Sequence, residues 1–194
     1  WDMVDEKTHV FKLRPDIKFH NGDPCNAEAV KWSLARVADP AVKSPHAWKF
    51  ADLDGIDVVD ELTLRLRFKQ PFAFLPVALT GSTGRAGTIV SKRAVEQHGQ
   101  AFGRNPVGTG PFKFVSWKEN DSIELVRNPD YFEAGQPYLD KVVIRLLKEP
   151  SAGVAALMSG QVDGLSVCPF QFIPQLRQRA DLQVFGQVEG NYSF

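Results

Sequence analysis

Apolar positions Val30, Leu34 and Val37 recur at i, i+4 and i+7, with Trp32 beside them, and this spacing predicts one amphipathic helix over residues 27–38. Asn26 is placed to cap its start, and Asp39-Pro40 to end it. Leu64, Leu66 and Phe68 alternate with Arg65 and Arg67, the period of a half-buried strand. With residues 56–59 and the turn at Asp60-Glu61 they predict a hairpin whose sheet has one solvated face. Ser91 is placed to cap a second helix that carries Ala94 and Val95 and closes at Gly99. A third, capped by Ser151, carries Val154, Leu157 and Met158 before Gly160, and a fourth covers residues 173–179. Strands are predicted at residues 112–117, 123–127, 142–147 and 182–188. Val10, Phe11 and Leu13 supply an opening strand, fed by a turn-like charged stretch from Trp1 to Lys7. Short strands interspersed with helices give an α/β or α+β layout with a mixed sheet, and no repeat or low-complexity linker marks a domain boundary.

Composition narrows the function classes. The 194 residues carry 23 Lys+Arg against 23 Asp+Glu, a formal charge of zero, which argues against a nucleic-acid partner because duplex binding draws on an excess of basic residues. At 43% hydrophobic the chain has the content for a sizeable core, yet no apolar run approaches the roughly 18 residues of a membrane span. The N-terminus lacks the basic-then-apolar layout of a signal peptide. Both ends read as cut, the alternative being a processed terminus at Trp1 and a closing edge strand.

Candidate chemistry is sparse. His9, His20, His46 and His98 show neither HxH nor HExxH spacing, so no metal site is assigned. Gly81-Ser82-Thr83-Gly84 lacks the spacing of a serine nucleophile elbow, and Gly108-Thr109-Gly110-Pro111 opens a strand where a phosphate loop would open a helix. Asp52, Asp54, Asp57 and Asp60 read as solvated charges; paired in a pocket, the first three would be the carboxylates of a rival hydrolase reading. No catalytic residue and no cofactor is assigned. Cys25 and Cys168 sit in no CxxC spacing, leaving a disulfide and two buried thiols both open.

Several segments in order carry a resemblance. Phe11-Lys12-Leu13-Arg14-Pro15-Asp16-Ile17-Lys18-Phe19-His20-Asn21-Gly22-Asp23-Pro24, then Asn26-Ala27-Glu28-Ala29-Val30-Lys31-Trp32-Ser33-Leu34, resemble the opening signature of the peptide/nickel class of extracellular solute-binding proteins. Asn105-Pro106-Val107-Gly108-Thr109-Gly110-Pro111-Phe112, Arg127-Asn128-Pro129-Asp130-Tyr131-Phe132, Pro137-Tyr138-Leu139-Asp140 and Ala155-Ala156-Leu157-Met158-Ser159-Gly160-Gln161-Val162-Asp163 continue it. The physics of these pieces is structural. The glycines permit a tight path into a strand, Pro111 pins its start, Asn128-Pro129-Asp130 makes a turn, and Tyr131-Phe132 is expected to close over the core.

The resemblance implies a type II periplasmic-binding clamshell, with residues 1–194 as most of its N-terminal lobe and the upstream segment and second lobe absent. It implies the receptor of an ATP-binding-cassette (ABC) importer, periplasmic or lipid-anchored and extracellular. Such a receptor captures a peptide, or a nickel or other metal chelate, and delivers it to permease subunits in the inner membrane. A sensory or chaperone-like receptor lobe of the same fold is the alternative. By resemblance to the nickel-chelate branch, Pro45-His46-Ala47-Trp48 makes Trp48 the first ligand-binding candidate, against a core tryptophan, with His46 beside it. Thr80-Gly81-Ser82-Thr83-Gly84-Arg85 falls where relatives place a cleft-facing loop, so Ser82, Thr83 and Arg85 follow, the guanidinium suited to clamp a carboxylate. Phe194 and Tyr192 are candidates through the last strand. With its opposing lobe absent, the half-cleft is expected to bind weakly.

Overall fold

The computed structural model describes residues 1–81 and 85–186, and divides the chain into two compact units, Trp1–Ile144 and Arg145–Phe194. In the first unit, β1 (Asp2–Asp5), β2 (Thr8–Lys12), β3 (Leu53–Asp60) and β4 (Thr63–Phe68) form a sheet in the order β1-β2-β4-β3. All its neighbours are antiparallel, so the mixture in this fold is of helices with sheets rather than of strand directions in this sheet. The register sets His9 and Ile56 on either side of Leu66, and Phe11 and Val58 on either side of Leu64. Leu64, Leu66 and Phe68 are buried while Arg65 is exposed, so the alternation legible in the sequence separates core from solvent.

Helix α1 (Ala27–Ala38) lays Val30 and Leu34 on that apolar face, joined by Phe50 and Leu75 in one core. Its start is fixed by Asn26, whose Oδ1 accepts from the Ala29 N–H at 3.1 Å. Asp39 ends it, with its N–H donating to Ala35 O and its side chain capping the short turn Pro40–Val42. Helix α2 (Leu75–Leu79) was not visible in the pattern, since five residues are too few to show a period; it buries Leu75 and Ala78. Helix α3 (Lys92–His98) follows the expected plan: the Ser91 hydroxyl accepts from Ala94 N–H at 3.3 Å and Gly99 ends it at φ +52°.

Beyond it, β5 (Phe112–Lys118) and β6 (Ser122–Arg127) pair antiparallel and β7 (Lys141–Arg145) completes a second sheet in the order β5-β6-β7. In the second unit, α4 (Pro150–Met158) starts one residue before Ser151. Glu149 takes the cap position, because Pro150 has no N–H to satisfy and its fixed φ suits a first turn. Helix α5 (Ile173–Arg177) follows a short turn, Phe170–Phe172.

Three expectations are corrected. The opening charged stretch holds β1, whose residues are exposed on both faces and so show no alternation; only the turn at Lys7 remains, its N–H donating to Asp5 Oδ1 at 2.8 Å. The last strand does not form over residues 182–186, and residues 187 and 188 lie outside those described. Phe132 does not close over the core: it is half exposed, with the Arg14 guanidinium 4.8 Å above its ring.

Candidate functional site

The segments with the strongest sequence pattern meet each other rather than an open surface. His20 N–H donates to Gly108 O at 2.8 Å, and the His20 ring Nε2 lies 2.9 Å from Gly110 O. Asn128, buried at 2% exposure, donates from Nδ2 to the same Gly110 oxygen at 3.0 Å and from its backbone N–H to Pro111 O at 2.8 Å. Asn21 Nδ2 donates to Ser91 Oγ at 2.9 Å, and Ser91 N–H donates to Val107 O at 3.1 Å. These contacts knit the loop before α1, the start of α3 and the entry to β5 into one joint. They turn most of the polar groups named here inward to one another, while His20 Nδ1 is buried without a hydrogen-bond partner among the described residues.

The ligand candidates lie elsewhere. Trp48 sits in a short 3-10 turn, Ala47–Phe50, in which Phe50 is buried and Trp48 is 71% exposed, so it is not a core tryptophan. Lys49 Nζ stands 5.4 Å from its ring centroid. His46 occupies the cap position of that turn, half-buried, with its backbone N–H donating to Ser44 Oγ at 3.2 Å. Arg85 is exposed at φ +59°, its N–H donating to Thr80 O at 2.5 Å and its carbonyl accepting from Thr88 Oγ1 at 3.3 Å. No hydrogen bond or ring contact among the described residues joins Trp48, His46 and Arg85 to one another. Ser82, Thr83, Tyr192 and Phe194 lie outside the described residues. Phe74 and Val77 are also exposed, around α2 and just ahead of the segment that carries Arg85.

Electrostatics count against the carboxylate reading. Asp54 and Asp57 both grip Arg67, Asp57 Oδ2 at 2.9 Å from Nε. The guanidinium holds the Asp57 carboxyl below the usual carboxylate range, whereas a general acid needs its pKa raised. Cys25 and Cys168 are free thiols, and burial pushes the Cys25 thiol up to about 11, away from reactivity. Among the described residues no group of three or more His, Cys, Asp and Glu is placed to hold a metal, and no helix is long and apolar enough to cross a membrane.

The family described as bacterial extracellular solute-binding proteins, family 5 middle, matches the chain over residues 1–194. The chain belongs to this family. Among curated proteins, this family 5 chain is 32% identical over 167 residues to the glutathione-binding protein GsiB of Pectobacterium atrosepticum, covering 86% of the chain and 32% of GsiB. Among solved structures it is similar to MoaA of A. tumefaciens in complex with mannopinic acid, at 31% identity and TM-score 0.79, covering 92% of the chain and 36% of MoaA. It is also similar to the periplasmic binding protein DppA of Helicobacter pylori in complex with the peptide STSA, at 27% identity and TM-score 0.78, over 93% of the chain and 39% of DppA. The chain thus spans about a third of the length of the curated relatives it matches, and carries part of a type II periplasmic-binding fold.

Proposed function

We propose that this family 5 chain is part of the N-terminal lobe of a receptor that captures a peptide-class ligand in the periplasm and delivers it to the permease of an ABC importer. The observation that carries the reading is the family match over all 194 residues, supported by similarity to a glutathione-binding relative and to a receptor with a bound peptide. Glutathione and short peptides share an ammonium, carboxylates and amide bonds. A receptor reads them with a few fixed polar groups and tolerant apolar walls. Trp48 supplies such a wall, because an exposed indole offers stacking area with little directional demand, and Arg85 supplies a fork for a carboxylate.

Capture works by closure. The closed state is favoured only by contacts the ligand makes in it and not in the open state, so both lobes must contribute. A nickel or other metal chelate is the second reading, resting on the exposure of Trp48 within His46-Ala47-Trp48, since an indole also stacks on a planar chelate. Calorimetric titration tests both. The full-length protein is expected to bind short peptides or glutathione saturably, more tightly than nickel-histidine, and residues 1–194 alone are expected to bind them weakly. A nanomolar isotherm with residues 1–194 alone would overturn the two-lobe reading, and preference for the nickel chelate would overturn the peptide reading.

A further inference from the structure

Between α1 and the start of α3 lies a cavity of about 480 Å³, in the range of small-molecule sites, about 300–1,000 Å³. Its charged walls are Asp23, Glu28, Lys92, Arg93 and Glu96. Arg93 Nη2 meets Asp23 Oδ1 at 2.9 Å and also donates to Asn21 O at 2.8 Å. Lys92 and Glu96, one turn apart on α3, face each other at 3.7 Å. These pairs neutralise themselves. Glu28 is the one charged wall residue left without an ion pair among the described residues, so the charged side chains of the cavity sum to one negative charge, which lies in the first turn of α1 beside its partly positive N-terminus.

Glu28 is not isolated. It stands four residues before Trp32 on α1, the spacing that brings two side chains to one helix face, and both line the cavity. Among the described residues no ring or cation lies on the Trp32 indole. The geometry points to a binding site for a single guanidinium or ammonium group, held between the Glu28 carboxylate and the face of Trp32. A planar guanidinium stacks on an indole and presents a fork of N–H donors to a carboxylate at the same time. A small anion would meet Glu28 while Arg93 is already engaged. A calcium ion draws six to eight oxygen ligands, which one free carboxylate does not supply. None of the cleft candidates Trp48, His46 and Arg85 lines this cavity, so the proposal rests on other residues than the receptor reading does.

Such a group arrives either on a free small molecule or on an arginine or lysine side chain of a docking protein. Both sources are tested on the full-length protein by following the Trp32 indole N–H resonance, assigned from its absence in Trp32→Phe. The probes are ethylguanidinium, the tripeptide acetyl-Gly-Arg-Gly-amide and its neutral citrulline counterpart. A saturable shift is expected with the guanidinium probes, at least tenfold weaker in Glu28→Gln and lost with citrulline. Equal affinity for both guanidinium probes assigns the site to a small molecule, whereas preference for the tripeptide assigns it to a protein side chain. An absent shift, one unchanged in Glu28→Gln, or one matched by citrulline would overturn the proposal. Glu28 is exposed, so Glu28→Gln is expected to fold, checked by its melting temperature. Peptide binding at the cleft should be the same in both variants, which separates a failure of this site from a failure of the receptor reading.

Discussion

His20 and Asn128 converge on one backbone oxygen, the carbonyl of Gly110, from 2.9 Å and 3.0 Å. A carbonyl has two lone pairs, and here both are filled by side chains from opposite ends of the first unit. The joint explains how residues 107–111 follow an irregular path: the carbonyls of Gly108, Gly110 and Pro111 are met by His20 and Asn128, and that of Val107 by the Ser91 N–H.

Asn128→Ala should therefore destabilise the fold well beyond a surface change. It strips one donor from Gly110 O and the acceptor of the Asp130 N–H, at a cost of about 1–3 kcal/mol. Urea unfolding is expected to show a lower midpoint at an unchanged m-value, while Asn128→Asp, which sets a carboxylate against a carbonyl, falls further.

Acid should loosen the same region. Burial lowers the pKa of His20, with the bond to Gly110 opposing and the nearby Lys113 charge adding to the fall. His9, between the rings of Trp1 and Phe68, is lowered by burial too, with the Asp5 charge partly opposing. Each histidine thus stays neutral in the fold at a pH where the unfolded chain takes up a proton. Stability is full above the unfolded value near 6.5 and is lost as pH falls from there toward the lowered folded values. Stability measured from pH 7.5 to 5 should decline, and His9→Phe should flatten the slope.

Legibility in the sequence followed burial asymmetry. Helix α1 and the β3–β4 hairpin were readable to within a few residues because each buries one face, which writes a period into the chain. Strand β1 buries neither face and α2 is barely longer than one turn, so neither leaves a pattern. The cleft candidates were legible only by resemblance. An exposed Trp48 and a buried one look identical in sequence, and Ala47-Trp48-Lys49-Phe50 resolves only when Phe50, rather than Trp48, takes the core position. The cavity wall of Glu28 and Trp32 needed α3 opposite it, a contact no spacing within α1 announces.

Core truncation in β4 should be severe. Leu64 and Leu66 are at 1% and 0% exposure in an interior strand, and either change to Ala is expected to cost about 2–5 kcal/mol, read by denaturant midpoint.

Trp48→Ala and Arg85→Gly should separate binding from stability. Trp48 is exposed, so its loss should leave the melting temperature in place and weaken peptide binding by the full-length protein at least tenfold, about 1.4 kcal/mol. Arg85 holds φ +59°, a region that costs a non-glycine residue about 1 kcal/mol, so Arg85→Gly should stabilise the fold while removing the carboxylate fork. Equal binding in both variants would place the ligand elsewhere.

The central claim, a peptide-capturing receptor of which these residues are one part, is tested most directly by native mass spectrometry of the full-length protein purified from its own cell envelope. The account predicts a chain more than twice as long as these 194 residues, carrying a peptide that leaves on unfolding. A protein no longer than this chain, or one whose only bound species is not peptide-like, would contradict it.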